Sequence, residues 1–391
     1  MASTTHAARR RLIAVAIGTA VGLVLVEIVG RLVGYLPPRP SPAYVQLTSA
    51  VGWLPEPGSR LVYGKPGGEY HTVVRFNALG FRSAAVDFPP RRGPDDRHVL
   101  ILGDSYASAW QVPIEERWSE RMTALRPTWT AINTGMPTWG TDQEYLTFAN
   151  YPLTSEPDVA LLLVFPGNDP SDTARQILTG NPPRYPHFVV DGDASLRLVN
   201  EWTYVNPFDA PASVDDWLRL HSVVRRAATD AIGLFAAPAA GPRAIPRDDP
   251  RAFDVFRDTT DSKWDAAWRL TDALLARFDA NAARRGVKLM IVLVPYFGAV
   301  QPELRAATLQ ATPDAFDLGR PYRRYAEIAR AHGIPLLDLT DGFLAFHARA
   351  SADLFYPEDK HFTPRGNCLA GMLVTAWLDP TAPATPDACR R

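Results

Sequence analysis

The sequence predicts an α/β protein with a doubly wound, parallel sheet, preceded by one membrane-spanning helix. Apolar runs of strand length alternate with segments of helical character from about residue 97 onward. These runs end in Gly, Asn, Asp or Ser, as expected where parallel strands meet at one edge of an open sheet. Near the N-terminus, residues 12–30 contain no Lys or Arg, and such a stretch is long enough to cross a bilayer.

Length and composition narrow the classes of function. With 391 residues, 46% of them apolar, the chain can form one large domain with additions. The 41 basic and 42 acidic residues nearly balance, and no basic run lies outside the extreme N-terminus, so we expect no nucleic-acid partner. The two cysteines and eight histidines show no metal-ligand spacing. We therefore expect neither a metal nor an organic cofactor.

The N-terminal segment is predicted to anchor the protein in a membrane. As a helix, residues 12–30 would be about 28 Å long, close to the thickness of the hydrocarbon core. Arg9, Arg10 and Arg11 precede it, so the positive-inside rule leaves residues 1–11 in the cytoplasm and sends the chain after the anchor (12–36) across the membrane. A cleaved signal peptide is the alternative, but its apolar region would be shorter and would end in a small-x-small site.

An extracytoplasmic location, periplasmic in a Gram-negative cell, has consequences for the rest of the chain. It makes a disulfide between Cys368 and Cys389 plausible, although two free thiols remain the alternative. Residues 37–96 are predicted to form a proline-rich stalk and a small β-rich preface, with a strand at 71–76. The main domain is expected at 97–380, followed by a C-terminal tail at 381–391.

The main domain is predicted from its strands and helices in chain order. Further strands are expected at 98–102, 129–133, 158–165, 287–294 and 334–339, and helices at 115–125, 140–149, 261–285, 322–332 and 367–378. Residues 171–250 interrupt this alternation as an insertion, expected over the active edge, where it shapes substrate access. It contains a hairpin with an Asp191-Gly192 turn. Its aromatic residues could grip sugars or simply pack under the insertion: Trp202, Tyr204, Phe208 and Trp217.

A candidate nucleophile follows the first strand of the main domain. The run 98–102 ends in Gly103-Asp104-Ser105-Tyr106, where the backbone must turn. A serine at the carboxyl end of a strand can expose its Oγ while the amides of the next turn face the same point and can hold an oxyanion. The alternative is an ordinary Asp-Ser helix cap.

A serine needs a base, and the base needs an acid that orients it. The loop before the last helix contains Glu358-Asp359-Lys360-His361. An Asp two residues before a His can place its carboxylate at Nδ1 and leave Nε2 for Ser105. The alternative is a helix N-cap region with an incidental histidine.

Four sequence blocks occur in order and together resemble the SGNH, or GDSL-type, hydrolase superfamily over roughly residues 97–378. They are Gly103-Asp-Ser105, the glycine of Asn133-Thr-Gly135, Gly167-Asn168-Asp169 and Asp359-x-His361. The resemblance implies a flavodoxin-like, three-layer α/β/α sandwich with Ser105 as nucleophile and His361 as base. It further implies an oxyanion hole formed by the backbone N–H groups of Ser105 and Gly135 and the side-chain amide of Asn168.

The sequence departs from the family pattern at two site positions. Tyr106 replaces the leucine of the namesake motif. The usual acid stands three residues before the histidine, where this chain has Glu358, whereas Asp359 stands two before it. Asp-x-His is similar to the membrane-anchored, polysaccharide-modifying branch, so we expect Asp359 to be the acid and keep Glu358 as the alternative. The segments Asn77-x-x-Gly80-Phe-Arg82 and Gly140-Thr-Asp-Gln143 also resemble anchored bacterial members, with no catalytic role implied.

The resulting expectation is an anchored, extracytoplasmic serine esterase. Its substrates are expected to be acyl, especially acetyl, esters of cell-envelope or exopolysaccharide sugars, with lipid esters second. The same Ser-His-Asp site could instead act as a polysaccharide O-acetyltransferase. A third alternative is a catalytically silent, anchored scaffold or polysaccharide-binding protein.

Overall fold

The computed structural model describes most of the chain and divides it into two compact units. The described residues are 2–32, 45–49, 51–55, 57–64, 68–91, 93–181, 185–192, 195–199, 222–225, 250–257, 261–382 and 388–389. Unit 1 comprises Met1–Tyr44 and Val205–Ile245, and unit 2 comprises Val45–Tyr204 and Pro246–Arg391. Residues 37–44 of the predicted stalk and the insertion aromatics Trp202, Tyr204, Phe208 and Trp217 lie outside the described residues. The residues that follow 37–44 form an antiparallel pair of strands, Val45–Ser49 and Gly52–Leu54.

Unit 1 contains the N-terminal helix α1 (Ala2–Leu32), which begins well before the predicted anchor. Its segment Arg9–Gly30 is long and apolar enough to cross a membrane, a test that a signal sequence would also pass. Glu27, the one acidic residue of this segment, accepts hydrogen bonds from Ser222 Oγ (3.1 Å) and from the backbone N–H of Val224 (3.2 Å). Its carboxylate is therefore paired within unit 1.

Unit 2 is built around a five-stranded parallel sheet and three small antiparallel pairs. In chain order the strands are β1 (Val45–Ser49), β2 (Gly52–Leu54), β3 (Arg60–Gly64), β4 (His71–Arg75), β5 (Arg97–Gly103), β6 (Trp129–Asn133), β7 (Val159–Val164), β8 (His187–Val190), β9 (Leu196–Val199), β10 (Lys288–Leu293) and β11 (Leu336–Asp338). The large sheet has the order β11-β10-β7-β5-β6, and β1-β2, β3-β4 and β8-β9 form the pairs. All four neighbouring pairs of the large sheet are parallel.

This strand order confirms the predicted fold class. Numbered within the sheet, it is 2-1-3-4-5, the order of flavodoxin-like proteins, with its switch point between β5 and β7. The apolar runs explain the arrangement, since every residue of β7 is buried, as expected for a strand that is covered on both faces. Ligands of such sheets bind beyond the carboxyl ends of the strands at the switch point.

Helices cover both faces of the sheet. They are α2 (Ser105–Ser108), α3 (Trp118–Leu125), α4 (Thr141–Asn150), α5 (Asp169–Thr173), α6 (Arg175–Thr179), α7 (Ser262–Arg284), α8 (Phe297–Val300), α9 (Ala307–Ala311), α10 (Arg320–His332), α11 (Thr340–Ala350) and α12 (Pro364–Leu378). Helix α3 packs with α12, whereas α7 packs with α4, α5, α6 and α10. Right-handed crossovers on either side of β5 place these two groups on opposite faces.

The predicted helices and strands are found within a few residues of their expected ends, with one informative shift. Helix α12 begins at Pro364 rather than at 367, because Thr363 caps it by accepting a hydrogen bond from the N–H of Gly366 (3.2 Å). The predicted hairpin forms as β8-β9, but Val190 pairs with Leu196 and the N–H of Asp191 donates to the Ser195 carbonyl, so its connection is longer than the predicted Asp191-Gly192 turn. Helix α11 was not predicted. The C-terminal residues are tied to α12 by a Cys368–Cys389 disulfide.

Candidate active site

The candidate nucleophile lies where the sequence places it, at the carboxyl end of β5. Gly103 ends the strand with φ +146°, and a Cβ there would lie 2.5 Å from the Leu163 carbonyl oxygen. Only glycine fits this turn. Asp104 then caps α2 by accepting a hydrogen bond from the N–H of Tyr106 (2.8 Å). Ser105 is the first residue of α2 and is half-buried.

His361 and Asp359 meet Ser105 from the loop before α12. Nε2 of His361 lies 2.7 Å from Oγ of Ser105, and Nδ1 of His361 lies 2.6 Å from Oδ1 of Asp359. The side chains of His361 and Asp359 are 23% and 19% exposed. The hydrogen-bonded row Ser105–His361–Asp359 is therefore largely shielded from water but still accessible to a substrate. The alternative acid, Glu358, is exposed, and its backbone N–H donates to Glu69. The carboxylate in contact with the imidazole is that of Asp359.

The loop that carries His361 is held in an unusual backbone conformation. Phe355 and Phe362 form an antiparallel bridge that closes it. Between Asp359 and His361, Lys360 has φ +72°, a left-handed conformation that costs a non-glycine residue about 1 kcal/mol or more. The hydroxyl of Tyr106 donates to the Lys360 carbonyl (2.8 Å) and helps to hold it. Tyr106, which replaces the family leucine, thus connects the loop that carries His361 with the turn that carries Ser105.

The electrostatics of the row suit proton transfer. Partial burial by itself would raise the pKa of Asp359, but the hydrogen bond and charge of His361, with a further hydrogen bond from Tyr70, lower it below the ordinary value. Asp359 therefore stays ionised and can stabilise an imidazolium ion. This arrangement can take a proton from Ser105 while Oγ attacks an electrophilic carbon.

The other two predicted site residues lie beside the nucleophile but already have partners. A Cβ on Gly135 would lie 2.6 Å from Ala107 Cβ, so this glycine packs directly against α2. Its N–H donates to Asn133 Oδ1 (2.9 Å). The amide nitrogen of Asn168 donates to the carboxylates of Asp104 (3.3 Å) and Asp172 (3.2 Å). An oxyanion at Ser105 would have to share the donors of Gly135 and Asn168 with these present acceptors. The N–H of Ser105 lies in the first turn of a helix, where no intrahelical acceptor exists.

A buried group of carboxyls, which the sequence analysis did not predict, lies next to Asn168. This inner acidic cluster consists of Asp104, Asp142, Glu144, Asp169 and Asp172. Burial is the main cause that raises the pKa of every member, to about 7 for Asp172 and about 8 for Asp142. Among the described residues, neither oxygen of Glu144 and only one oxygen of Asp169 has a hydrogen-bond partner. The side chains of Glu144 and Asp169 are therefore stable in the protonated form, whereas Asp172 pairs with Arg175 at 2.8 Å.

The described residues contain no group of three or more His, Cys, Asp or Glu side chains that could hold a metal ion. The inner acidic cluster does not meet that requirement.

The segment Asn77-x-x-Gly80-Phe-Arg82 stabilises the backbone beside the site. Asn77 Oδ1 accepts hydrogen bonds from the N–H groups of Leu79 (2.9 Å) and Phe81 (3.1 Å), which folds the turn. The guanidinium of Arg82, which is 1% exposed, donates to the carbonyls of Ser108, Ala109 and Val112. Arg82 therefore fixes the residues that follow α2.

Two further residues that the sequence analysis missed contact Asp359. Tyr70 donates to its Oδ2 (2.6 Å), and the carboxylate of Glu69 accepts the N–H of Asp359 (2.8 Å). Both lie 289 or more residues away in sequence from their partners. No local pattern could have indicated this contact, because it depends on how the β3-β4 hairpin packs.

Comparison with known proteins gives one family match and several distant structural similarities. Residues 255–388 match the family model described as "SGNH hydrolase-like domain, acetyltransferase AlgX", a range that includes Asp359 and His361. No curated protein matches in sequence. Among solved structures, the chain is similar to the acetyl xylan esterase AlAXEase, with 15% identity, a TM-score of 0.37 and coverage of 72% of this chain and 98% of that one.

Two further structures are similar at the same level. One is a member of the lipolytic protein G-D-S-L family from Veillonella parvula DSM 2008, with 12% identity, a TM-score of 0.35 and coverage of 72% of this chain and 97% of that one. The other is the lipase/acylhydrolase from Enterococcus faecalis, with 12% identity, a TM-score of 0.36 and coverage of 74% and 98%. The family match at residues 255–388, the parallel α/β sheet and the motif blocks at its edge support an SGNH/GDSL superfamily member.

Proposed function

We propose that this protein is a membrane-anchored, extracytoplasmic serine esterase that removes acyl groups, chiefly acetyl, from cell-envelope or exopolysaccharide carbohydrates. The observation that carries the proposal is the hydrogen-bonded row Ser105–His361–Asp359, with distances of 2.7 and 2.6 Å. The apolar segment of α1 supports the anchor. The family model, whose description names a hydrolase-like domain and an acetyltransferase, supports acyl chemistry.

The reaction follows from the row. Oγ of Ser105 forms a bond to the ester carbonyl carbon while His361 Nε2 takes the Oγ proton. The oxyanion is held by the N–H groups of Ser105 and Gly135 and by the Asn168 amide. The carbon–oxygen bond to the sugar then breaks, and the leaving oxygen receives the proton from Nε2. Water, deprotonated by the same nitrogen, then attacks the acyl carbon, the bond from this carbon to Oγ breaks, Oγ receives the proton from Nε2, and the carboxylic acid leaves.

Transfer to a carbohydrate hydroxyl is the second candidate, and the acetyltransferase in the description of the matched family favours it. It uses the same acyl-enzyme, with a sugar hydroxyl in place of water. The two functions differ only in the acceptor, so one acyl-enzyme serves both.

The test uses the full chain in detergent micelles with p-nitrophenyl acetate, butyrate and octanoate. We expect turnover that is highest for acetate and is lost in Ser105→Ala and His361→Ala. Adding an oligosaccharide acceptor and searching for its acetylated form by mass spectrometry separates transfer from hydrolysis. A folded wild-type protein that neither hydrolyses nor transfers acetyl, and that fails to react with a fluorophosphonate, would support the silent scaffold instead.

A further inference from the structure

We infer that Glu69 and Tyr70, at the end of the β3-β4 connection, are positioning residues that hold the acid and the histidine loop of the site. The inference rests on the proposed function, because it assigns a task within that active site. Neither residue touches the reacting atoms, and both act through Asp359.

Tyr70 completes the coordination of the Asp359 carboxylate. Oδ1 of Asp359 faces Nδ1 of His361 at 2.6 Å, and Oδ2 accepts the Tyr70 hydroxyl at 2.6 Å. With a donor on each oxygen, the carboxylate cannot rotate without losing a hydrogen bond to a charged acceptor. Burial and the bond to Asp359 both raise the pKa of the Tyr70 phenol, so it remains a donor.

Glu69 holds the backbone of the same loop. Its two carboxylate oxygens accept the consecutive N–H groups of Glu358 (2.6 Å) and Asp359 (2.8 Å). This two-pronged contact fixes the chain immediately before Lys360, whose left-handed backbone turns the loop toward His361. The β3-β4 hairpin therefore holds both the side chain and the backbone of Asp359.

The hairpin is itself fastened to the nucleophile side of the site. The ring of Tyr70 stacks on Tyr63 (5.4 Å), and Tyr63 packs edge-on against Trp110 (5.6 Å). Thr72 in β4 donates to the Trp110 carbonyl at 2.5 Å. Because Trp110 follows α2 almost directly, the hairpin connects the segment that carries Ser105 with the loop that carries His361.

The catalytic consequence concerns the moment at which His361 becomes an imidazolium ion. Asp359 must then face Nδ1, and a carboxylate free to rotate would face it only part of the time. The Tyr70 hydroxyl, which donates to Oδ2 of Asp359, keeps Oδ1 directed at Nδ1 of His361. The other titratable groups near Asp359 remain in place in Tyr70→Phe: Glu69, Tyr106, Tyr356 and Lys360.

The experiment measures the pH dependence of Ser105 labelling by a fluorophosphonate in the full-length protein in detergent. This readout needs an activated serine and does not depend on the natural substrate. For Tyr70→Phe we expect a rate constant reduced about tenfold at its optimum pH. Tyr356→Phe is the matched control, since it removes a hydroxyl from a ring that packs against Tyr70 at 5.3 Å and should leave the rate constant unchanged.

Glu69→Gln provides a second variant, which we expect to lower the rate a few-fold because an amide can accept only one of the two N–H groups. The far-downfield proton NMR signal of His361 Nδ1–H should move in Tyr70→Phe and stay in Tyr356→Phe. Wild-type labelling rates and an unmoved proton signal in folded Tyr70→Phe would overturn the inference alone. A wild-type protein that does not label, while folded, would overturn the proposed function and with it the inference.

Discussion

Asp359 and the inner acidic cluster, both in unit 2, differ in acid–base properties although both are shielded from water. Asp359 is partly buried, and both its oxygens accept hydrogen bonds from side chains that favour the anion, so its pKa is lowered. For Glu144 and Asp169 of the inner acidic cluster, burial raises the pKa, and the charged groups that act on them are other carboxyls. The balance between burial and the donors and positive charge beside a carboxyl decides whether it stays ionised.

This difference in ionisation corresponds to two different roles of the carboxyls. Asp359 has the charge that an orienting acid needs, and it lies against the histidine. Burial favours the protonated form of the cluster members, most clearly of Glu144 and Asp169, which belong to the interior beside the amide of Asn168. Asn168 lies between the two regions, because it contacts Asp104 and Asp172 of the cluster and is a proposed donor to the oxyanion.

The largest effect is expected when the charge of Asp359 is removed without changing its shape. Asp359→Asn should lower the fluorophosphonate labelling rate of Ser105 by about 10³-fold or more, since the amide favours the wrong imidazole tautomer. Glu358→Gln makes the same chemical change at the neighbouring, exposed carboxyl and should label like the wild type. If Glu358→Gln were the slow variant, the assignment of the acid would be wrong.

Asn168→Ala should have the next largest effect. Loss of one oxyanion donor typically costs about 10²-fold in turnover. We therefore expect kcat for p-nitrophenyl acetate to fall by about that factor, with KM nearly unchanged. Asn150→Ala is a suitable control, because Asn150 ends α4 and its amide donates to the Leu146 carbonyl. Equal kcat values in Asn168→Ala and the wild type would remove Asn168 from the oxyanion hole.

Local sequence patterns predicted the parallel sheet, and together with the family resemblance they singled out Ser105, His361 and Asp359, which the structure brings into contact. The apolar periods, the glycine after β5 and the spacing of Asp359 and His361 are local, and a parallel sheet brings its strand ends to one edge. The contacts of Tyr70 with Asp359 and of Arg82 with the carbonyls after α2 are not local. They depend on how the β3-β4 hairpin and the turn after it pack on the sheet, and no periodicity describes that packing.

The inner acidic cluster was missed for a different reason. Asp142 and Glu144 stand in a helix, and Asp169 and Asp172 follow a strand, positions where an acid is ordinarily solvated or caps a helix. Only the close packing of α4 and α5 buries them. Gly140 shows this closeness, since a Cβ there would lie 2.6 Å from the backbone nitrogen of Thr173.

The smallest effect on catalysis, and a distinct effect on stability, is expected for Asp142→Asn. Folding raises the pKa of Asp142 to about 8, mainly through burial, so the folded state holds a proton that the unfolded state releases. The stability contributed by this proton is complete below the unfolded pKa of about 4 and is lost as the pH rises through about 8. Asparagine mimics the protonated form and does not titrate.

The melting temperature of Asp142→Asn relative to the wild type should therefore increase by a few degrees between pH 5 and pH 9. Asp95→Asn, at an exposed carboxyl, is the control and should give the same difference from the wild type at both pH values. A difference for Asp142→Asn that does not change with pH would mean that Asp142 is ionised in the folded protein, and the contrast between the cluster and Asp359 would then disappear at this position.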